Sequence, residues 1–250
     1  MGNKIIGIIP ARFASTRFPG KPLVGILGKP MIQRVYEQCV KSELLSEIIV
    51  ATDNPDILNT VENFGGKAVM TSESHPSGTD RCKEAIENSG LHLSPNDIII
   101  NIQGDEPFID PEQIDVLCAL FQREEVNLGT LIKPITEASV YSDVNSPKVV
   151  RSKTGKALYF SRSPIPFQRD ESLGMPSDCF QHIGIYGYRW KTLKEICDLS
   201  PSYLEKTEGL EQLRWLENGY EIYTEISNHE SIAVDTPEDL MKIAKWHSNN

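Results

Sequence analysis

The segment Ile5-Ile6-Gly7-Ile8-Ile9-Pro10-Ala11-Arg12-Phe13-Ala14-Ser15-Thr16-Arg17-Phe18-Pro19-Gly20-Lys21-Pro22 passes from a short apolar run into a loop with three cations, two hydroxyls and a glycine. Residues 5–9 are almost all isoleucine and stop at Pro10, the pattern of a strand buried on both faces of a parallel sheet. Residues 47–51 and 97–102 have the same Ile and Val character and the same flanking turn formers. Between these runs the apolar spacing turns helical. Met31, Val35, Cys39 and Leu44 fall at approximate helical intervals, and Ile57, Val61 and Phe64 follow the start signal Asn54-Pro55, an N-cap residue with proline at the first helical position. A short strand over residues 67–70 comes next. Asp110-Pro111-Glu112-Gln113 repeats the start signal ahead of Ile114, Leu117 and Leu120, and Thr236-Pro237-Glu238-Asp239 repeats it with an acid at the third helical position. This alternation predicts an α/β fold with a mainly parallel, doubly wound sheet.

From about residue 128 the pattern changes. Strand-like stretches at 148–151, 157–161 and 183–188 have fewer long helices between them, which predicts a mixed C-terminal half that extends the sheet. Residues 164–176 hold three prolines and opposing charges, and are expected to be a mobile or interface loop. With 250 residues and 39% hydrophobic composition the chain can bury a full core, and a single domain over residues 1–250 is expected. The net charge of -10 argues against a nucleic-acid partner, because such proteins carry a basic surface that neutralises phosphates. Five cysteines without a C-x-x-C pair spell neither a zinc knuckle nor a redox dithiol, and read as reduced core thiols. The run at 5–9 is too short for a signal segment or a membrane span, so no membrane partner and a cytoplasmic location are expected.

In an acidic protein an anionic ligand must be met locally, and the loop after residues 5–9 is placed to do so. It follows a buried strand at the carboxyl edge, where open α/β sheets bind ligands. Its small residues let backbone N–H groups approach phosphate oxygens while Arg12, Arg17 and Lys21 supply charge. It is not a Walker A loop, since Lys21 is followed by Pro22 rather than Ser or Thr. A second segment, Asn101-Ile102-Gln103-Gly104-Asp105-Glu106-Pro107, runs from a buried strand into an acidic turn at the same edge, where carboxylates can hold Mg²⁺ beside bound phosphates. Asp235 has two readings, a second metal carboxylate or a residue that favours the dipole of the following helix. Ser77-Gly78-Thr79-Asp80 reads as a helix-capping turn, His182 as a satisfied histidine on a strand, and Glu211-Gln212 as a solvated helix face; residue patterns alone give them no further role.

Eight segments nevertheless carry a resemblance together. Residues 10–22 quoted above, Ile49-Val-Ala-Thr-Asp53, Ser77-Gly-Thr-Asp-Arg81, Gln103-Gly-Asp-Glu-Pro107, Ala157-Leu-Tyr-Phe-Ser-Arg162, His182-Ile-Gly-Ile-Tyr-Gly-Tyr-Arg189, Leu210-Glu-Gln-Leu-Arg214 and Val234-Asp-Thr-Pro-Glu-Asp239 closely resemble the bacterial 3-deoxy-manno-octulosonate (Kdo) cytidylyltransferase family, in the family's order. The resemblance implies a glycosyltransferase-A-like, three-layer nucleotide-diphospho-sugar transferase fold, a homodimer, and the Mg²⁺-dependent conversion of CTP and Kdo to CMP-Kdo and diphosphate for lipopolysaccharide biosynthesis. It implies that residues 1–127 form mainly the nucleotide-binding half and residues 128–250 the sugar-binding and dimer-forming half. By motif, Arg12, Ser15 and Lys21 would hold the triphosphate, Asp105 and Asp235 the metal, and Ser77, Gly78 and Arg81 the cytosine side. Arg17, Gln103, Arg162, His182, Tyr186, Glu211 and Gln212 would line the sugar site. Phe13 and Phe18 stand where the family varies in apolar type, and residues 168–177 carry no motif. Activation of a related acid sugar, an 8-amino analogue of Kdo or a sialic acid, is the neighbouring alternative. A regulatory protein that binds CTP without turnover is the alternative from another class, against which the joint presence of Asp105, Asp235 and the sugar set argues.

Overall fold

A computed structural model describes residues 2–14, 18–170, 172, 174–229 and 233–240. The first half runs β1 (Ile5–Ala11), a 3-10 turn (Lys21–Leu23), the two-residue strands β2 (Gly25–Ile26) and β3 (Lys29–Pro30), α1 (Met31–Cys39), β4 (Glu47–Thr52), α2 (Pro55–Asn63), β5 (Ala68–Met70), α3 (Gly78–Asn88), β6 (Ile98–Asn101) and α4 (Pro111–Leu120). The second half runs β7 (Leu128–Pro134), α5 (Ala138–Ser142), β8 (Lys148–Arg151), β9 (Ala157–Ser161), β10 (Phe180–Arg189), α6 (Trp190–Cys197), α7 (Tyr203–Glu208), α8 (Gln212–Glu217) and β11 (Tyr223–Ile226).

The main sheet has the order β11-β7-β10-β6-β1-β4-β5. The three Ile-rich runs read from the sequence are neighbours in it, β6 and β4 flanking β1, all parallel. β10 enters antiparallel to both β6 and β7, and β8 and β9 extend the sheet through antiparallel pairing onto β10. The sheet is therefore mixed and mainly parallel, as expected. Alternation along each strand explains why the runs are apolar throughout. Ile6 and Ile8 of β1 face one core layer with Cys82 and Ile86 of α3, Leu193 of α6 and Trp215 of α8. Ile9 of β1 and Ile100 of β6 face the other, with Val35 of α1, Ile57 of α2 and Leu117 of α4.

The helix start signals act as read. Asn54 accepts the N–H groups of Asp56 at 2.8 Å and Ile57 at 3.3 Å, and Asp110 accepts that of Glu112 at 2.9 Å. Leu44 does not extend α1. The helix ends at Cys39, and Asp115 of α4 captures the N–H groups of Glu43 at 3.2 Å and Leu44 at 3.3 Å, which turns the chain toward β4. Cys39, Cys82, Cys118 and Cys179 are buried free thiols and Cys197 is half-buried. Residues 162–170 hold no strand or helix.

One close approach sets the spacing of the sheet edge. A Cβ on Gly104 would lie 2.5 Å from the carbonyl oxygen of Pro10, a backbone atom that no side-chain rotation can move. Only glycine lets the acidic turn after β6 pass directly against the start of the cationic loop. Gly104→Ala is expected to cost about 2 kcal/mol, as overpacking does, and to lower Tm by about 4–8 °C in a chain of this size. Thermal melting followed by circular dichroism checks this, and an unchanged Tm would show that the two segments can separate freely.

Candidate active site

The edge defined by β1 and β6 opens into a cavity of about 260 Å³ lined by residues of the cationic loop, the acidic turn, the start of α3 and Asp235. Gly20, left-handed at φ 69°, leads into the 3-10 turn that carries Lys21. The Lys21 ammonium lies 3.0 Å from Asp105 Oδ2 and 3.5 Å from Asp235 Oδ1. Asp235 reaches this point because the N–H of Val234 donates to the carbonyl of Asp105 at 2.8 Å while the Val234 side chain packs fully buried with Ile26 and Met31. The Asp239 carboxylate then accepts the N–H groups of Asp235 at 3.0 Å and Thr236 at 2.9 Å, the reach-back expected of the acid at that position. Residues 233–235 are not in a strand, and 230–232 lie outside the described residues. Two carboxylates gathered on one ammonium form a hard-oxygen donor set that fits a divalent cation such as Mg²⁺. Arg12 is exposed and lines the same cavity, while Ser15 and Arg17 lie outside the described residues.

Across the cavity, Ser77 caps α3. Its hydroxyl accepts the Asp80 N–H at 3.2 Å and donates to the Asp80 carboxylate at 2.7 Å. The capping turn is real, and it also puts Ser77 and Gly78 on the cavity wall. Arg81 lines the wall from a buried position, with Nη1 donating to Thr71 Oγ1 at 2.6 Å and Nη2 to Asp53 Oδ2 at 2.9 Å. His75, on the same wall, is bonded through Nε2 to Glu84.

The residues expected at the sugar end divide into two groups. Gln103 lines the cavity and donates to the Gly184 carbonyl at 2.5 Å. Behind it, Glu211 accepts the Thr79 hydroxyl at 2.9 Å, and burial pushes its carboxyl above the usual range. Gln212 is buried rather than on a solvated face, and its Nε2, like the Tyr186 hydroxyl, is buried without a partner among the described residues, which is costly unless a ligand supplies one. His182 packs edge-on against Phe160 at 5.2 Å and beside Tyr186 at 5.2 Å, and its Nε2 meets the Thr130 hydroxyl at 3.0 Å. Arg162 stands apart from the cavity lining. Its guanidinium donates to the carbonyls of Glu208 at 2.7 Å, Val144 at 3.0 Å and Gly209 at 3.2 Å, clamping the turn that leads to Glu211. Reading by residue type gave no role to Asp53 or His75. For Asp53 the available signal was its position one residue past a buried strand at the ligand edge.

A mainly parallel sheet with a cationic loop and paired carboxylates at one edge is compatible with a nucleotidyltransferase, and the family model for cytidylyltransferases matches residues 6–226. The 3-deoxy-manno-octulosonate cytidylyltransferase of Parabacteroides distasonis is 52% identical over 98% of this chain and 99% of its own. That of Bacteroides thetaiotaomicron is 51% identical over 98% of this chain and 99% of its own. A solved structure of CMP:2-keto-3-deoxy-manno-octonic acid synthetase complexed with CTP superposes with a TM-score of 0.91 at 39% identity, covering 99% of each chain. The chain belongs to the 3-deoxy-manno-octulosonate cytidylyltransferase family. The expected fold class and enzyme class both hold.

Burial pushes the His182 imidazole down to about 3. The unfolded chain takes up this proton near pH ~6.5, so stability is expected to fall as the pH drops below about 6.5. In His182→Gln the decline in Tm between about pH 6.5 and 4 should be shallower than in the parent protein. Equal slopes in the two proteins would contradict a ring held neutral by burial.

Proposed function

We propose that the protein joins the cytidylyl group of CTP to Kdo, giving CMP-Kdo and diphosphate for lipopolysaccharide biosynthesis. The observation that carries this reading is the convergence of Lys21, Asp105 and Asp235 at one cavity, behind whose Ser77–Gly78 wall Thr79 is bonded to Glu211. The anomeric hydroxyl of Kdo attacks the α-phosphorus in line with the departing diphosphate, and no protein nucleophile is required. Catalysis then rests on positioning and charge neutralisation. Arg12 and Lys21 hold the triphosphate and offset the charge that builds on the leaving diphosphate. Ser77, Gly78 and Arg81 hold the nucleoside side. Asp105 and Asp235 would hold Mg²⁺, which when bound neutralises phosphate charge and acidifies the attacking hydroxyl.

At the acid-sugar end, the unpartnered Tyr186 hydroxyl and Gln212 amide are suited to sugar hydroxyls, with Gln103, His182 and Glu211 shaping the site. Arg17 is the natural partner for the Kdo carboxylate, since a guanidinium forks onto a carboxylate. Arg162 acts at one remove by holding the turn before Glu211. In this reading residues 1–127 serve mainly the nucleotide and residues 128–250 the sugar, and the enzyme works as a cytoplasmic homodimer. Phe167 in the proline-rich loop, 81% exposed, is the kind of side chain a second copy would cover. Among the described residues no helix is long and apolar enough to cross a membrane.

Diphosphate release by the purified protein with CTP and Mg²⁺ tests the reading, with Kdo, its 8-amino analogue and N-acetylneuraminate as acceptors. Release is expected to be strongest with Kdo. Preference for another acceptor would move the enzyme to a different acid sugar, and no release with any would leave a CTP-binding protein. Asp105→Asn should lose at least about a hundredfold in turnover, the scale of removing a metal carboxylate; near-normal turnover would exclude it as an essential ligand.

A further inference from the structure

β4 ends at the same sheet edge as β1, and the residue after it, Asp53, makes two contacts that the reaction scheme does not use. Its Oδ1 accepts the main-chain N–H of Phe13 at 3.0 Å, and its Oδ2 accepts Nη2 of Arg81 at 2.9 Å. The ion pair is buried, with side-chain exposures of 7% for Asp53 and 3% for Arg81. Both partners belong to the candidate nucleotide site. Arg81 is on its α3 wall, and Phe13 follows Arg12 in the cationic loop. The Phe13 carbonyl in turn accepts the Gly20 N–H at 3.0 Å, which ties the start of the loop to the residue just before Lys21. One carboxylate therefore joins the two walls of the cavity, through Phe13 and Gly20 on one side and Arg81 on the other.

We propose that Asp53 is a positioning residue that holds the cationic loop and Arg81 at a fixed separation, and so sets the distance between the sites for the triphosphate and the nucleoside of CTP. The inference rests on the function proposed above. Both of its partners are donors that approach different oxygens, so the position needs two acceptor atoms on one short side chain, and a carboxylate of this length offers them. An asparagine has one acceptor and turns an N–H toward either Phe13 or Arg81. An alanine frees the loop and leaves the Arg81 charge buried without its anion, a large penalty in itself.

The experiment compares Asp53→Asn and Asp53→Ala with the parent enzyme, measuring CTP affinity by calorimetry, KM for CTP and for Kdo from diphosphate release, and Tm. Asp53→Asn is expected to weaken CTP binding and raise KM for CTP at least about tenfold, with KM for Kdo within about twofold, as the loss of one buried charged contact predicts. Asp53→Ala should be weaker still; if it does not fold, the asparagine variant alone decides. A folded Asp53→Asn with CTP affinity within about twofold of the parent, or with both KM values rising together, overturns the proposal and leaves Asp53 a stability element. Absence of diphosphate release from the parent enzyme would instead overturn the proposed reaction, while the calorimetric comparison would still judge Asp53.

Discussion

Lys21 stands between two carboxylates, and the arrangement of the rest of the site follows from that placement. An ammonium 3.0 Å from Asp105 and 3.5 Å from Asp235 holds together groups that would otherwise repel, at the one edge of the sheet where a loop, a turn and a distant segment meet. In a chain of net charge -10 a polyanion must be met by local cations, and Arg12 and Lys21 bring two to this edge. Lys21 is offset by its two carboxylates, so the edge also needs a cation that the protein does not neutralise. Arg12 meets this by staying exposed, whereas Arg81 is committed to Asp53 and works as part of the frame.

The sheet makes this geometry stiff. β1, β4 and β6 are buried on both faces, so their ends are fixed relative to one another by two core layers rather than by the loops they emit. Gly104 then brings the acidic turn within contact of Pro10. The antiparallel entry of β10 next to β6 places Tyr186 opposite Asn101 and so carries the second half of the chain to the edge where the cationic loop and the acidic turn of the first half meet.

Much of the fold was legible because its strands and caps obey local rules. Isoleucine runs ending in turn formers became the central strands, and Asn54 and Asp110 cap the helices they announce. Leu44 misled because the end of α1 is decided by Asp115, seventy-one positions away, and not by the apolar spacing. The cationic loop and the acidic turn were readable from residue type and position. Glu211, Gln212 and Tyr186 were legible only as motif residues and not from residue type, since a glutamate at a helix start looks the same whether it meets water or Thr79, and only the packing of α8 against α3 and β10 makes the difference. Arg162 was legible as a motif residue, but its three carbonyl acceptors belong to tertiary structure and have no local signature.

The hydrogen bond from Val234 to the Asp105 carbonyl has a consequence for the order of folding. Lys21 and Asp105 are 84 positions apart, while Lys21 and Asp235 are 214 apart, so the second contact carries a far longer loop closure than the first. During synthesis the sheet around β1, β4 and β6 can form while residue 235 is still inside the ribosome, but the charge set at its edge cannot. That set is complete only once the segment around Val234 has docked, and a chain that has acquired its sheet but not this contact holds a lysine and one aspartate without the second. The charged edge of this sheet is assembled only when the fold is whole.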